Sequence, residues 1–328
     1  MDKIMRRFGM SGKSVIPLIS GTACAIPAIM ATRNIGGWKD RLITILVTPF
    51  TTCSARLPVY AIIIALIIPE DRLFGIFSLQ GMVLMSLYIL GFASAIISAY
   101  ILNKVLKVES KNFFIVEMPN YKLPSIKNIF FDVLEKTKAF VLGAGKIILA
   151  ISIVLWFLAS NGTSDFKNAE KIVAKKTIGK SISVEELESE IASFKLENSY
   201  IGVMGKMIEP AISPLGYDWK IGIALISSFA AREVFVGTLS TIYSVGSDDE
   251  GTIKQRMAAE VDPITGEKIF NFPAGMSLLV FYAFALQCMG TLAIVKRETK
   301  SWKWPMLQLV GMGALAYVSA LITFLILK

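Results

Sequence analysis

Residues 73–103 read LFGIFSLQGMVLMSLYILGFASAIISAYILN, a run of 31 residues without a charged side chain. Three further uncharged runs follow at 147–164, 269–295 and 304–327, with 18, 27 and 24 residues. An α-helix needs about 20 apolar residues to cross the hydrocarbon core of a bilayer. Because backbone groups in lipid must be satisfied within their own segment, these runs are helices. The sequence therefore predicts an all-α, polytopic membrane protein.

The balance of charges argues against one class of partner. Lysine and arginine outnumber aspartate and glutamate by 34 to 25, which gives a formal net charge of +9. No basic stripe interleaved with aromatic residues appears, so nucleic acid is not an expected partner. Basic residues instead accumulate in the cytoplasmic loops of membrane proteins. The excess of positive charge therefore predicts a protein surrounded by lipid.

The same bias predicts a topology. Residues 1–14, 33–41, 103–140 and 296–303 are basic and are predicted to face the inside, whereas 161–200 and 244–274 contain more acids than bases. This scheme requires 15–32 and 201–243 to enter and leave the bilayer on the same side. Both segments are therefore predicted to be re-entrant hairpins, although residues 219–243 are long enough to span the bilayer by themselves.

A weak internal repeat relates two halves of the chain. An offset of 235 residues aligns Cys53 with Cys288 and Leu57 with Leu292. An offset of 207 aligns six further identities: Gly9 with Gly216, Lys13 with Lys220, Leu18 with Leu225, Ile19 with Ile226, Ser20 with Ser227 and Ala23 with Ala230. Inverted repeats of this kind build many secondary transporters, whose binding sites lie at broken helices near the midplane. The alternative is a chance likeness between apolar helices.

Two of the three cysteines lie where a membrane helix should break. Cys24 stands between Gly21 and Pro27, and Cys53 is followed by Pro58 within an otherwise apolar segment. Glycine and proline interrupt helical hydrogen bonding and leave carbonyl groups that line a cavity. No C-x-x-C pair is present, so structural disulfides are not expected.

Charged residues at membrane depth accompany the cysteines. Arg56 follows Cys53, and the pair Arg232-Glu233 aligns one step beyond Cys24 in the repeat, while Gln287 precedes Cys288. Such charges are expensive in lipid and usually face a polar path. Thiolate, thioether and carboxylate groups select soft or borderline metal ions. The hypothesis is a transition-metal path; the alternative is that the thiols fill space and Arg232 and Glu233 neutralise each other.

No nucleotide site is expected in this chain. Residues 12–14 read Gly-Lys-Ser, which is the end of a phosphate-binding loop. That loop requires a glycine where Arg7 stands and a strand before it, and neither requirement is met. The chain is therefore not expected to be an enzyme or to bind GTP, and no permanently bound cofactor is predicted.

Five stretches of the sequence resemble the ferrous iron transport protein B family (FeoB), specifically its membrane permease. In family order they are Ser11–Gly21, Cys24–Arg33, Cys53–Tyr60, Ala231–Gly237 and Gln287–Thr291. The string Cys-Ser-Ala-Arg-Leu-Pro-Val-Tyr at 53–60 is highly specific. The resemblance implies two Gate-type half-repeats with broken or re-entrant helices. It also implies that Cys24, Cys53 and Cys288 correspond to the membrane cysteines on the iron path of that family.

The resemblance divides the chain into four segments. Residues 1–69 would be a partial first Gate repeat, and 70–140 a transmembrane helix with a basic cytoplasmic loop. Residues 141–200 would be a transmembrane helix with a polar loop, and 201–328 the second Gate repeat with the C-terminal transmembrane helices. Members of the family also carry an N-terminal GTP-binding domain, a helical regulatory domain and the first membrane helices. This chain is therefore expected to correspond to the permease portion alone.

The function implied by the resemblance is passage of Fe²⁺, as the transported substrate, through a multi-pass protein of a bacterial inner membrane. Cys24, Cys53 and Cys288 would be transient metal contacts, with Glu233 as a carboxylate partner. The supporting residues would be Arg56, Arg232, Pro27, Pro58 and Gln287. The expected partners are lipid, a separate N-terminal portion with the G domain, small accessory Feo proteins and further copies of the chain. GTP hydrolysis would belong to that N-terminal portion.

Two other functions remain open from the residues. A Gate-superfamily permease for a nucleoside or another small organic solute would need more hydrogen-bonding side chains in its broken helices. A membrane thiol oxidoreductase would need paired cysteines near a surface, whereas the cysteines here are odd in number and widely spaced. A third possibility is an incomplete permease that transports nothing.

Overall fold

The computed structural model describes residues 2–73, 77–106, 125–162, 166, 168–170, 172–173, 191, 194–230, 232–243, 270–286 and 288–328. Almost all of the regular structure in these residues is helical. A pair of two-residue antiparallel strands, β1 (Arg72–Leu73) and β2 (Phe77–Ser78), joins two of the helices. The all-α fold predicted from the uncharged runs is therefore confirmed.

The helices, in chain order, are of very different lengths. The N-terminal set is α1 (Asp2–Arg7), α2 (Val15–Ser20), α3 (Ala25–Ala31), α4 (Trp38–Val47), α5 (Leu57–Ile67) and α6 (Leu79–Val105). The middle set is α7 (Ile126–Phe140), α8 (Lys146–Ser160), α9 (Tyr200–Ile212), α10 (Trp219–Ser228) and α11 (Val234–Tyr243). The C-terminal set is α12 (Phe272–Phe284), α13 (Met289–Thr299) and α14 (Lys303–Leu327).

Four helical segments of the described chain are long and apolar enough to cross a membrane. They are Trp38–Ile67, Leu79–Val105, Phe272–Thr299 and Lys303–Leu327. Within the most apolar part of each, 71% of Phe272–Thr299 is buried by protein, against 22% of Leu79–Val105 and 17% of Lys303–Leu327. Leu79–Val105 and Lys303–Leu327 therefore present most of their apolar surface outward, as lipid-facing helices do.

Short helices, not continuous ones, occupy both segments that the charge pattern predicts to be re-entrant. Helices α2 and α3 pack against each other, and so do α10 and α11. With a rise of 1.5 Å per residue, a ten-residue helix such as α10 is about 15 Å long and cannot cross the hydrocarbon core. The stretch 219–243 therefore contains two short helices and not one continuous helix. That both segments are re-entrant, and the side from which each enters the membrane, stay predictions.

The fold divides into two compact units that interleave along the sequence. Unit 1 contains Met1–Ser54, Tyr88–Leu149 and Met289–Gly311, and unit 2 contains Ala55–Leu87, Ala150–Cys288 and Met312–Lys328. In unit 1, an apolar cluster joins α3, α4 and α13 through Ile26, Ile29, Ile45, Ile294 and Val295. In unit 2, the core contains buried side chains of α5, α9, α10, α11 and α12. Within it, the rings of Phe235 and Tyr282 pack edge to face, with their centroids 4.8 Å apart.

Gly216 ends the short turn between α9 and α10 in the left-handed region, with φ of +79°. A β carbon there would also lie 2.5 Å from Cε2 of Phe324. We expect Gly216→Ala to lower the free energy of unfolding by about 1–2 kcal/mol, because an L side chain is strained in this region. Thermal unfolding in detergent measures the effect. Gly313→Ala is the control, since its β carbon meets nothing within 4 Å; equal shifts would contradict the prediction.

Candidate functional site

The first site element is a break in the middle of the Trp38–Ile67 segment. Helix α4 ends at Val47, residues 51–53 are not helical, and α5 begins at Leu57. Proline lacks a backbone N–H and so favours the first turn of a helix over its interior. Pro49 and Pro58 both occupy the first turn of a helical element on either side of the break. Cys53 lies in the gap between them and is partly exposed.

Threonine hydroxyls line the approach to this break. Thr44 donates to the carbonyl of Asp40 at 2.7 Å, Thr48 to that of Thr44 at 2.6 Å, and Thr51 to that of Thr48 at 2.7 Å. Hydrogen bonds of this type compete with the backbone ladder and bend helices. We call these three side chains the threonine ladder. It carries the chain from regular helix into the irregular residues that hold Cys53.

A pair of hydrogen bonds brings the break at Cys53 to the break at Cys24. The backbone N–H and the hydroxyl of Ser54 both donate to the carbonyl of Ala23, at 3.3 and 2.8 Å. Cys24 follows Ala23 and is the N-cap of α3, where its φ of −155° is extended. Within unit 1, the structure therefore places the backbones of Cys24 and Cys53 side by side. Sequence spacing alone could not show this neighbourhood.

The second site element is a break between α12 and α13. Helix α12 ends at Phe284, and α13 begins at Met289, directly after the partly exposed Cys288. The carbonyl of Ala285, at the end of α12, accepts a hydrogen bond from Nη2 of Arg232 at 2.9 Å and a longer one from Nη2 of Arg56 at 3.5 Å. The last carbonyls of a helix have no partner within it, and cations are favoured there.

This arrangement explains two charges at membrane depth. Arg56 is completely buried and Arg232 is 5% exposed, and both belong to unit 2 together with Ala285. A buried guanidinium needs hydrogen-bond acceptors, and an interrupted helix supplies them. The arginines thus stabilise the irregular end of α12. Their convergence on one backbone oxygen is a feature that sequence reasoning missed, because an alanine carbonyl leaves no signal in a side-chain pattern.

The remaining candidates occupy different surroundings. Glu233 is exposed although its neighbour Arg232 is buried, so the two side chains face different environments. Pro27 and Pro58 are exposed in the first turns of α3 and α5. Gln287 lies outside the described residues. Among the residues that the structure describes, no group of three or more cysteine, histidine, aspartate or glutamate side chains could hold a metal ion.

Apolar helices interrupted at thiol-bearing breaks define the class of protein: a polytopic α-helical membrane protein with Gate-type broken helices. Residues 1–67 and 141–302 match the family described as "Gate: Nucleoside recognition". Residues 84–136 match "Ferrous iron transport protein B C terminus". The chain belongs to the ferrous iron transport protein B family and corresponds to its C-terminal membrane part.

Curated relatives agree with this assignment over nearly the whole chain. The "Fe(2+) transporter FeoB" of Leptospira biflexa is 44% identical over 328 residues, and that of Leptospira interrogans serovar Lai is 42% identical over 325 residues. Each alignment covers 99% of this chain and 44% of the relative. A Porphyromonas gingivalis relative, 35% identical over all of this chain and 39% of its own length, is named "Fe(2+) transport protein A/Fe(2+) transporter FeoB fusion protein". No solved structure gives a significant match.

Proposed function

We propose that this chain is the membrane permease part of a ferrous iron uptake transporter, in which Cys24, Cys53 and Cys288 are transient contacts for Fe²⁺. The observation that carries the proposal is that each of these cysteines lies at a helix break. Cys24 and Cys288 directly precede α3 and α13, and Cys53 directly precedes a short 3-10 helix, Ser54–Arg56, that leads into α5. The thiolate is the metal-binding form of cysteine, and a helix N-terminus favours negative charge. Glu233 would add a carboxylate contact where the ion meets water.

Weak contacts in series suit a conducting path, because an ion that is held too tightly does not leave. A partly exposed single thiol is a weak contact compared with a closed four-ligand site. Arg56 and Arg232 would support the path by holding the end of α12 in its irregular form. Because they already donate to the carbonyl of Ala285, their positive charge would also keep a cation from binding that oxygen. Pro27, Pro58 and Gln287 would shape the breaks.

The relatives support a proposal for the setting of this permease. We propose a multi-pass protein of a bacterial inner membrane that works with an N-terminal portion bearing the G domain, because the curated relatives are more than twice as long as this chain. GTP hydrolysis would take place on that portion, and this chain would not be an enzyme. The fused relative from Porphyromonas gingivalis supports a small accessory Feo protein as another partner. Assembly into a homo-oligomer is a further part of this proposal.

The test is Fe²⁺ uptake into anaerobic proteoliposomes by the chain and by Cys53→Ser. We expect the variant to lose about 10- to 100-fold in rate, the usual cost of removing a group that supports a metal site. Ser86→Ala is the control, because the Ser86 hydroxyl bonds only its own helix, at the carbonyl of Val83. Equal uptake by Cys53→Ser and the unchanged chain would contradict the role of the thiol. If neither moves iron, adding the N-terminal portion of a relative tests for a split transporter, and failure of that rescue would indicate an incomplete permease.

A nucleoside permease is the second candidate, because the matching Gate family is described by nucleoside recognition. Unit 2 contains a cavity of about 350 Å³ between α8, α9, α10 and α11. Its lining is apolar except for the hydroxyl side chains of Ser152, Ser227 and Thr238. A nucleoside presents many hydrogen-bonding groups, which such a lining satisfies poorly. Saturable uptake of a radiolabelled nucleoside, without Fe²⁺ uptake, would favour this candidate.

A thiol oxidoreductase is the third candidate, favoured by the neighbouring backbones at Cys24 and Cys53. All three cysteines are free thiols in the structure. An oxidoreductase that uses this pair would pass through a disulfide between them. Mass spectrometry of the protein after mild oxidation would detect that bond, and its reversible formation during turnover with a quinone would favour this candidate over the permease.

A further inference from the structure

Unit 1 contains an ion cluster of three hydrogen-bonded side chains that the transport path proposed above does not use, and Arg297 is a more distant ion-pair partner of the same carboxylate, at 3.9 Å. The carboxylate of Glu298, near the end of α13, is only 3% exposed. Nε of Arg33 donates to both of its oxygens, at 3.1 and 2.9 Å, and Nη2 of Arg33 donates to Oε1 at 2.5 Å. Nη2 of Arg41 donates to Oε2 at 2.7 Å. One buried carboxylate therefore holds two arginines from two other parts of the unit.

The three members differ in how firmly they are enclosed. The side chain of Arg33 is 50% exposed and that of Arg41 is 22% exposed. The hydrogen bond to Glu298 raises the pKa of Arg33. Removing one partner of a buried ion pair leaves the other uncompensated, which is strongly destabilising. Glu298 is therefore the indispensable member, and Arg33 is the member that can be changed with the least damage.

The members of the ion cluster lie about one helical turn along the chain from the buried isoleucines of the apolar cluster of unit 1. Ile29, Ile45 and Ile294 are buried on α3, α4 and α13, and each is four residues from Arg33, Arg41 or Glu298. On α4 and α13, residues four apart lie one above the other on the same face of the helix, whereas Arg33 lies just beyond α3 in a short 3-10 helix, Thr32–Asn34. The ion cluster thus closes one end of the packing between these three helices. Cys24, at the beginning of α3, packs against the same apolar residues.

Each of the three helices also adjoins one of the cysteine breaks. Helix α3 begins directly after Cys24, α4 leads into the break that holds Cys53, and α13 begins directly after Cys288. A charge-assisted, bidentate pair fixes orientation as well as distance. Joining the far ends of the three helices therefore restricts the movement of the breaks at their near ends.

We propose that Glu298 is a positioning residue for transport: through Arg33 and Arg41 it ties α3, α4 and α13 together and thereby holds Cys24 in its place beside the break at Cys53. This inference rests on the proposed iron path for its transport readout. Glu298 does not contact the ion. It acts through the helices that carry the thiols, so its loss changes the exposure of Cys24 as well as the rate of uptake.

The test compares Arg33→Gln with Arg33→Lys in the full chain, reconstituted into liposomes. Arg33→Gln leaves Glu298 paired with Arg41, so the protein still folds. The end of α3, however, loses the charged hydrogen bonds that connect it to Glu298. We expect N-ethylmaleimide to modify Cys24 about fivefold faster in Arg33→Gln, as read by peptide mass spectrometry, because the start of α3 opens more often. Fe²⁺ uptake should fall by a similar factor. Arg33→Lys keeps the charge but not the bidentate geometry, so both measurements should fall between those of the unchanged chain and Arg33→Gln.

Glu298→Gln and Glu197→Gln form the second pair of variants. Glu197 pairs with Lys206 at 2.8 Å on an exposed surface of unit 2, so it controls for loss of an ion pair as such. We expect both readouts to change in Glu298→Gln, and neither in Glu197→Gln. Unchanged Cys24 modification in both Arg33→Gln and Glu298→Gln would overturn the proposal, and so would a lower melting temperature without any change in modification or uptake. If the unchanged chain moves no iron even with the N-terminal portion added, the proposed function fails separately, while the maleimide rates still decide whether the cluster positions Cys24.

Discussion

Replacing Arg232 with methionine is expected to lower the free energy of unfolding by about 2–3 kcal/mol, the cost of losing a hydrogen bond from a charged group and leaving a buried acceptor poorly satisfied. The Arg232 guanidinium donates to the carbonyl of Ala285 at 2.9 Å, and only the longer contact from Arg56 would remain. Methionine fills a similar volume, so the loss of the donor outweighs the loss of packing. Thermal unfolding of the purified protein in detergent measures the change.

The control for this experiment is Lys195→Met, which removes an exposed ion pair with Glu170. Exposed pairs contribute about 1 kcal/mol or less, so this variant should stay close to the unchanged protein. Arg232→Lys keeps the charge but not the planar, five-donor geometry, and it should recover only part of the loss. An Arg232→Met variant as stable as Lys195→Met would show that the end of α12 does not depend on the arginine.

Replacing Gly91 with valine is expected to abolish most Fe²⁺ uptake while the chain still inserts into the membrane. Gly91 lies on α6, against the first break. A β carbon at Gly91 would lie 2.8 Å from the hydroxyl of Thr52 and 3.1 Å from the carbonyl oxygen of Phe50. Overpacking of this kind displaces its neighbours at a cost of about 1–3 kcal/mol. Because the contact includes backbone next to Cys53, the displacement would move the thiol itself.

Uptake by the Gly91→Val variant is best compared with that of Gly311→Val. A β carbon at Gly311, on α14, meets nothing within 4 Å. Both variants add the same side chain to a membrane helix, so they share any general effect on insertion. We expect uptake to fall by about 10- to 100-fold in Gly91→Val, as for other changes that misplace a metal contact, and to be retained in Gly311→Val. Similar uptake by the two variants would show that the close approach of α6 to the break is unimportant.

Composition and spacing could predict the membrane fold, because charge-free runs of the required length have few other uses. They also predicted the positions of the breaks at Cys24 and Cys53, where glycine and proline interrupt the helix. The break between α10 and α11 was harder to predict. Residues 229–233 contain neither glycine nor proline, and only the charged pair Arg232-Glu233 marks them. A segment of that length and hydropathy is equally compatible with a continuous span.

The contacts that organise the candidate site lay beyond sequence reasoning for a physical reason. Backbone carbonyls are present at every residue, so nothing in the letter for Ala285 shows that two arginines bind it. Glu298 belongs to a segment that the charge pattern classified as a basic loop, in which a single acid carries no signal. Its role depends on Arg33 and Arg41, more than 250 residues away in the chain. Tertiary structure alone brings these side chains together.

The threonine ladder has a consequence for how the protein is made. Each hydroxyl of Thr44, Thr48 and Thr51 is bonded to a carbonyl of its own segment, three or four residues earlier. Polar groups that are satisfied within one helix cost little on transfer to lipid, whereas unsatisfied ones cost several kcal/mol. The threonines therefore add little to the cost of placing this segment in lipid, whereas the charge of Arg56 in the same segment depends on the carbonyl of Ala285, which is synthesised much later.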